Sequence, residues 1–252
     1  MGVLVGITGA IGSGKSTVAD FLRNQESDHA YYESGELIAE VAEDFNRALS
    51  GELAFETTSD DVELTNQALI WFVESIAEKL HYTATWNQLA ITKRLTIEQP
   101  ELLGKLFIYL ASVKQNPELL DARITRDNKE QYRPLLQWLG GYLVARLDSA
   151  IWYDELMHRI RMHDDEKNLI IIGGLRYPSD AAVVRKNQGV VLQIKRPIDA
   201  KDTHDVTEAS RDDIEPDITL YNNGTLETLQ TTIETFWNDL AAGKPAKTYI
   251  SE

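Results

Sequence analysis

The segment Gly9-Ala-Ile-Gly-Ser-Gly14-Lys15-Ser16 carries the residue types and the spacing that hold phosphate groups. It fits G-x-x-x-x-G-K-[ST], in which the glycines let successive backbone N–H groups turn toward phosphate oxygens. The lysine of this pattern reaches the β- and γ-phosphates, and the hydroxyl after it ligates Mg²⁺. An apolar strand pattern at Val3–Thr8 and a helix pattern at Val18–Leu22 supply the flanking elements that the motif requires. The predicted phosphate contacts are Gly12, Ser13, Gly14, Lys15, Ser16 and Thr17.

Three missing motifs narrow the class of nucleotide-binding protein. A GTPase would carry N-K-x-D for guanine, and the nearest string is Asn128-Lys-Glu-Gln131. No glycine has an aspartate three positions before it, so D-x-x-G is missing as well. In an ATPase motor an acidic residue follows an apolar strand, whereas Leu169-Ile-Ile-Ile172 runs into Gly173-Gly174. The sequence therefore favours a kinase over a switch protein or a motor.

A kinase must also bind an acceptor, and one helix pattern offers a face for it. Arg133, Gln137 and Gly140 recur at i, i+4 and i+7, so they share one stripe of a helix. Such a stripe by itself is more often a solvated surface than a binding site. Arg176 follows the third predicted strand, at the edge where open α/β sheets bind ligands. It is a candidate phosphate clamp, with an arginine that covers a helix end as the alternative.

Two segments after the later strands complete the candidate site. Residues 197–216 form a long, charged segment that predicts a lid over the phosphates, with a solvated charged surface as the alternative. Asn222 and Gly224 lie in the turn that closes the last predicted strand. We expect the backbone of this turn to contact the adenine base, and an ordinary Asn-Gly turn is the alternative.

These residues need a doubly wound α/β fold to bring them to one edge of a sheet. Between the second and third strands, roughly residues 60–166, three- and four-residue apolar spacing predicts a helical insertion with tryptophans in its core. Residues 244–252 are expected to form a flexible tail. Short apolar runs predict five buried parallel strands, at Val3–Thr8, His29–Tyr32, Leu169–Ile172, Val190–Ile194 and Asp217–Tyr221.

Composition limits the partners of this 252-residue chain. Its 25 basic and 40 acidic side chains leave a net charge of −15, which repels nucleic-acid polymers. The absence of cysteine excludes disulfides and thiolate metal sites. The sequence contains no run of about 18 uncharged apolar residues, the length that a membrane-spanning helix needs. We expect one soluble domain over residues 1–252, in the cytoplasm, that binds neither a nucleic-acid polymer nor a membrane.

A series of short motifs resembles the phage-type deoxynucleoside monophosphate kinases. Their order along the chain is more specific than the phosphate loop alone, although Ser50–Tyr132 is not matched. The resemblance implies a P-loop kinase that transfers the γ-phosphoryl group of ATP to a deoxynucleoside monophosphate with Mg²⁺. The motifs after the phosphate loop are Arg133-Pro-Leu-Leu-Gln137-Trp-Leu-Gly140, Ile151-Trp152, Arg176, Arg196-Pro197, Asp202-Thr-His204, Thr207-Glu208-Ala209 and Asn222-Asn-Gly-Thr-Leu-Glu-Thr-Leu229.

The resemblance also implies roles for single residues. Lys15 and Arg176 are the catalytic candidates, and Ser16 is the metal ligand. The lid residues are Arg196, His204 and Glu208. The acceptor is expected to contact Arg133, Gln137, Gly140, Trp152 and Arg176. The implied partners are nucleotides, and a homodimer is left open.

Three positions depart from the pattern of this family. Gly174 stands where the family tends to have an aspartate, Ile38 replaces a lysine, and Gly140-Gly141 replaces Gly-Thr. Related alternatives are a dephospho-coenzyme A kinase and a nucleoside kinase, which share the phosphate loop. A regulator that binds ATP without transferring phosphate is a further alternative, because Gly174 removes a carboxylate. The sequence does not say which deoxynucleoside monophosphates are accepted.

Overall fold

Six short strands form one parallel sheet in the computed structural model of the protein. Their order across the sheet is β2-β3-β1-β4-β5-β6, so the first strand lies between β3 and β4. All the described pairings are parallel, and the carboxyl ends of the strands therefore share one edge. The strands are β1 (Val3–Thr8), β2 (His29–Glu33), β3 (Leu169–Gly173), β4 (Val190–Lys195), β5 (Ile218–Asn222) and β6 (Thr248–Ser251).

Helices account for most of the rest of the described chain. The chain forms two compact units, Met1–Ser34 with Leu156–Glu252 and, separately, Gly35–Glu155. None of the described helices is both long and apolar enough to span a membrane. The structure describes residues 2–51, 63–64, 67–68, 100–125, 127–146, 149–164, 166–197 and 213–252. Two short 3-10 helices lie at Pro117–Leu120 and Lys129–Tyr132, and residues 63–64 and 67–68 are also helical. The longer helices are α1 (Lys15–Gln25), α2 (Ser34–Ser50), α3 (Pro100–Gln115), α4 (Arg133–Arg146), α5 (Ile151–His163), α6 (Pro178–Lys186) and α7 (Leu226–Ala241).

Strand β1 is apolar on both faces because helices cover both sides of the sheet. On one face Ile7 belongs to a buried cluster that includes Leu22 of α1 and Phe236 of α7. On the other face a Cβ at Gly6 would lie 2.8 Å from Val184 of α6, so only glycine fits this close approach. The first unit is therefore a three-layer α/β arrangement with β1 at its centre.

The second unit has a helical core that combines aromatic rings with a buried hydrogen-bond network. The rings of Phe45 and Trp138 lie 5.4 Å apart between centroids. The Tyr109 hydroxyl donates to Oδ1 of Asn46 (2.5 Å), and Nδ2 of Asn46 donates to the carbonyl of Leu119 (3.3 Å). Burial raises the pKa of Tyr109, so its hydroxyl stays protonated and remains a donor.

The strand and helix predictions from sequence hold for the described residues. Each of the five predicted strands is present with ends that differ by no more than one residue. The described part of the chain between β2 and β3 contains helices and no strand. Trp138 and Trp152 are buried as expected, whereas Trp71 and Trp86 lie outside the described residues.

The prediction of a five-stranded sheet is wrong, because the expected flexible tail supplies a sixth strand. β6 pairs with β5 from Thr219 opposite Thr248 to Asn222 opposite Ser251. Tyr249 is buried, and its ring lies edge-on to Phe236 with centroids 5.4 Å apart. A four-residue strand with one large inward side chain is too short to be recognised from its hydrophobic alternation.

Tyr249→Ala should reduce the free energy of unfolding by about 3–5 kcal/mol, the usual cost of removing a buried aromatic ring. The change also deletes a hydroxyl that donates to Oδ2 of Asp239 (3.0 Å). Ile250 is 52% exposed on the other face of β6, so Ile250→Ala is the matched control and should cost less than about 1 kcal/mol. Urea denaturation measures both values, and equal small losses would show that β6 is not docked.

Candidate active site

The phosphate loop connects the end of β1 at Thr8 to the start of α1 at Lys15. Gly14, the residue before the helix, has a φ of 97°, a left-handed conformation that favours glycine. A Cβ at this position would lie 2.5 Å from Nδ2 of Asn222. Glycine is therefore required at position 14 both by the backbone angle and by the close approach of a neighbouring strand.

Asn222, at the end of β5, holds this loop by a hydrogen bond to its backbone. Its side chain is buried, and Nδ2 donates to the carbonyl oxygen of Ser13 (3.0 Å). The sequence placed Asn222 at the adenine base and missed this support, because the direction of a side chain at a strand end depends on tertiary packing. The adenine contact of the turn at Asn222 and Gly224 stays a prediction. The N–H of Asn223 in this turn donates to the carbonyl of Ser251 (3.1 Å).

The start of α1 provides backbone donors for an anion. The first hydrogen bond of the helix runs from the N–H of Val18 to the carbonyl of Gly14 (2.9 Å). The N–H groups of the residues before Val18 therefore have no carbonyl acceptor within the helix. Gly14 occupies the N-cap position and has no side chain with which to cap them. Helix N-termini of this kind bind phosphate groups. Ser16 is exposed in the first turn, whereas Ser13 is buried inside the loop.

Lys15 places a positive charge across the same loop. Its Nζ donates to the carbonyl oxygens of Gly9 and Ala10, each at 2.7 Å. The ammonium group therefore lies over the loop and beside the N-terminus of α1. Backbone donors and one cation converge here, which is the arrangement that phosphate binding requires.

The turn after β3 lies beside the end of β1. The N–H of Leu175 donates to the carbonyl of Ile7 (3.1 Å), and the Thr8 hydroxyl donates to the carbonyl of Leu175 (3.1 Å). These bonds place the exposed Arg176 next to the strand that leads into the phosphate loop. Gly174 has a φ of 76°, and a Cβ there would meet no heavy atom within 4 Å. The backbone angle, and not a lack of space, favours glycine at the position where the family tends to have an aspartate.

Asp180 of α6 holds the turn that carries Arg176. Its Oδ2 accepts the backbone N–H groups of Arg176 (2.8 Å) and Tyr177 (3.0 Å). Burial raises the pKa of Asp180 from 3.8 to about 6, although both hydrogen bonds favour the carboxylate. The sequence analysis missed this residue. Its position in the first turn of a helix that begins with Pro178 is the signal that could have identified it.

Glu33, at the end of β2, supplies a carboxylate beside the end of β3. It pairs with Gly173 in the parallel register, and its Oε1 accepts a hydrogen bond from the Tyr31 hydroxyl. A side chain at Gly173 would overlap the Tyr31 hydroxyl, so glycine is needed for this packing. No motif marks this carboxylate in the sequence, where only the absence of a carboxylate after β3 is visible.

The expected acceptor residues of the second unit lie on α4. Nε and Nη2 of Arg133 both donate to the Glu130 carboxylate at 2.7 Å, and both side chains are exposed. The hydrogen bonds from Arg133 lower the pKa of Glu130. Nζ of Lys105 donates to Oε1 of Gln137 (2.6 Å). Arg133 and Gln137 therefore lie at the surface of α4, each with a charged neighbour.

Gly140 and Trp152 have structural contacts within the same unit. The Trp152 ring is buried, and its Nε1 donates to the carbonyl of Gly140 (3.1 Å). A Cβ at Gly140 would lie 3.3 Å from Cδ1 of Ile38, so the isoleucine that replaces the family's lysine packs on this glycine. These contacts orient α4, and the predicted contacts of Gly140 and Trp152 with the acceptor stay predictions.

The predicted lid is only partly within the described chain. Arg196 is exposed directly after β4. His204 and Glu208 lie outside the described residues. The lid therefore stays a prediction.

Most of the chain, including these elements, matches the sequence model of a known protein family. The model described as deoxynucleotide monophosphate kinase matches residues 3–233. The chain belongs to this family. The match starts at β1 and ends in α7, and so includes the phosphate loop, α4, Arg176 and Asn222. No individual curated protein matches the chain.

Membership in the deoxynucleotide monophosphate kinase family confirms the resemblance found in the sequence. The protein is a transferase of this family. A kinase of this family uses ATP and a divalent metal ion.

Asp180 predicts how stability depends on pH. Because its pKa rises from 3.8 to about 6 on folding, Asp180 binds its proton more tightly in the folded state than in the unfolded state. The contribution of Asp180 to stability is therefore present below about pH 4 and is lost as the pH rises through about 6. Asp180→Asn keeps an oxygen for both N–H groups and carries no charge. Between about pH 4 and pH 7 the variant should gain on the order of 2–3 kcal/mol relative to the wild type.

Urea denaturation of both proteins at the two pH values measures this difference. Other carboxylates titrate in the same range, but they do so in both proteins and their effects cancel. Parallel stability curves, or a variant that loses stability relative to the wild type as the pH rises, would contradict the position of Asp180.

Proposed function

We propose that the protein transfers the γ-phosphoryl group of ATP to a deoxynucleoside monophosphate, which yields the diphosphate and ADP. The observation that carries the proposal is the loop between β1 and α1, where Lys15 and the helix N-terminus offer a cation and backbone donors together. Family membership supports a deoxynucleoside monophosphate as the acceptor.

The phosphate loop acts mainly by positioning and by electrostatics. Its N–H groups hold phosphate oxygens, and Lys15 exchanges its bonds to the carbonyls of Gly9 and Ala10 for bonds to the β- and γ-phosphates. Negative charge shifts among these oxygens during transfer, so a fixed cation stabilises the transition state more than the ground state.

The residues present also fit a divalent metal ion bound with the nucleotide. The exposed hydroxyl of Ser16, in the first turn of α1, is a hard oxygen ligand of the kind that Mg²⁺ takes together with phosphates and waters. When bound there, Mg²⁺ would neutralise phosphate charge, and Ser16 would help to hold it. A direct carboxylate ligand at Gly174 is not needed, because Mg²⁺ keeps several waters readily.

Arg176 is the proposed clamp on the transferred phosphoryl group or on the acceptor phosphate. Asp180 fixes the backbone of Arg176, so its exposed side chain projects from a defined point of the chain beside β1. In the second unit, Arg133 and Gln137 are proposed to bind the acceptor nucleotide. Arg133 would then exchange its bidentate contact with Glu130 for the acceptor phosphate.

A coupled assay of ADP formation with a panel of acceptors tests the proposed function. The panel holds the deoxynucleoside monophosphates, the ribonucleoside monophosphates, deoxynucleosides and dephospho-coenzyme A. We expect the highest kcat/KM with one or more deoxynucleoside monophosphates. A preference for deoxynucleosides or dephospho-coenzyme A would assign the protein to one of the alternative kinases, and no acceptor-dependent ADP would indicate a regulator.

Lys15→Ala should leave the fold intact and lower kcat with the best acceptor by about 10²-fold or more. The reason is that the ammonium group contacts oxygens whose charge changes in the transition state. Lys244, exposed after α7, provides the matched control, and Lys244→Ala should not change turnover. Turnover of Lys15→Ala within about threefold of the wild type would contradict the role given to the phosphate loop.

Arg133→Ala should lower kcat/KM for the acceptor by roughly 10- to 150-fold, since an Arg–phosphate contact contributes about 1.5–3 kcal/mol, and should leave the KM for ATP nearly unchanged. Glu130→Gln is the complementary variant, because it weakens the ion pair that holds Arg133 and leaves Arg133 itself in place. We expect this variant to keep or improve the acceptor KM. Gln137→Ala should change the ranking among deoxynucleotides more than the rate with the best one.

Steady-state kinetics with varied acceptor at saturating ATP measures these three variants. Small, equal losses for Arg133→Ala and Gln137→Ala, with no change in ranking, would mean that this face of α4 is an ordinary solvated surface.

A further inference from the structure

Three potential metal ligands meet where α1 ends and β2 begins. Glu26, Asp28 and His29 each present one ligand atom, and these atoms lie within 4.8 Å of one another. The strands of the sheet are parallel and β2 starts at His29, so this cluster lies at the amino-terminal edge of the sheet. The phosphate loop leaves from the opposite, carboxyl-terminal edge. The cluster is therefore separate from the candidate active site.

His29 is the decisive member of the cluster, because its side chain is fully buried with one nitrogen unpaired. Nδ1 donates to the carbonyl of Leu22 (2.6 Å), so the neutral form of the ring carries its hydrogen on Nδ1 and its lone pair on Nε2. Among the described residues, none hydrogen-bonds Nε2. This nitrogen lies 3.9 Å from Oε2 of Glu26, too far for a hydrogen bond but suited to two ligands of one ion.

Both carboxylates of the cluster accept hydrogen bonds from neighbouring side chains. Nε1 of Trp237 donates to Oε1 of Glu26 (3.4 Å), while Oε2 is the oxygen that lies toward His29. Asn168 donates from its amide nitrogen to Oδ2 of Asp28. The Trp237 ring also lies edge-on to His29, with centroids 4.8 Å apart. Metal ligands in proteins are oriented by such outer contacts, including a backbone carbonyl on the second nitrogen of a histidine.

We infer that Glu26, Asp28 and His29 form a binding site for a divalent transition-metal ion of the zinc type. One imidazole and two carboxylates suit Zn²⁺, whereas Mg²⁺ prefers oxygen ligands alone. Around an ion with bonds of about 2.0–2.2 Å, ligand atoms lie about 3–4 Å apart, so the cluster must contract slightly on binding. Glu26 can supply this movement because its side chain is half exposed.

A cleft beside the cluster gives an ion a route to Glu26. Glu26, Asn168 and Trp237 line a cleft of about 940 Å³ at the amino ends of the strands. Water from this cleft can complete the coordination. A bound ion would join the end of α1 to the start of β2, so its expected effect is to stabilise the first unit.

Calorimetric titration of Zn²⁺ alone into the full-length protein, with excess Mg²⁺ in the buffer, tests the site. We expect one saturable binding event and a higher unfolding temperature with Zn²⁺. Glu26→Gln keeps an acceptor for Trp237, and Asp28→Asn keeps one for Asn168, so both variants should fold. Each should lose at least about tenfold in Zn²⁺ affinity. Glu234→Gln, which makes the same charge change on α7 outside the cluster, should bind like the wild type.

The same titrations can overturn the inference. The absence of a saturable event would mean that the buried histidine has no metal partner. Unchanged affinity in Glu26→Gln and Asp28→Asn would mean that histidines elsewhere bind the ion. Neither result would bear on phosphoryl transfer, because Glu26 and Asp28 are not in the phosphate loop.

Discussion

A hydrogen bond between distant parts of the chain holds the phosphate loop against the end of β5. Asn222, at the end of β5, donates to the carbonyl of Ser13, and Gly14 leaves the space that this contact needs. Because β4 lies between β1 and β5, the loop has to pass over the end of β4 to reach this partner. A Cβ at Gly9 would overlap the carbonyl of Ile194 in β4, so glycine is required on this path too. The start of α1 and the position of Lys15 both follow from this path.

Strand β1 also positions the second cationic element of the candidate active site. Leu175 donates its N–H to the carbonyl of Ile7 and accepts a hydrogen bond from the Thr8 hydroxyl. The N–H of the next residue, Arg176, donates to the carboxylate of Asp180. The Lys15 ammonium group, which bonds the carbonyls of Gly9 and Ala10, and the backbone of Arg176 therefore both lie beside the carboxyl end of one central strand. In a chain with a net charge of −15, these two cations and the N-terminus of α1 are the elements that we propose bind small anions. The overall charge does not oppose nucleotides in the way that it opposes nucleic-acid polymers.

Sequence patterns predicted most of the sheet because buried strands such as Leu169–Ile172 are continuous apolar runs with clear ends. They failed at β6, where Tyr249 is the single large inward residue of a short edge strand. The phosphate loop could be predicted because its function depends on local spacing. The roles of Asn222 and Asp180 could not be predicted in the same way, because each depends on which distant backbone group its side chain meets. The pairing of Arg133 with Glu130 follows the i, i+3 spacing of neighbouring residues and was open to prediction.

A label on the γ-phosphoryl group of ATP distinguishes its transfer to an acceptor from its hydrolysis. ATP with a radioactive γ-phosphate is incubated with the protein, Mg²⁺ and one unlabelled deoxynucleoside monophosphate at a time, and the products are separated by chromatography. We predict that the label appears in the corresponding deoxynucleoside diphosphate, together with an equal amount of unlabelled ADP. Label that stays in ATP, or that is released as inorganic phosphate with every acceptor, would contradict it.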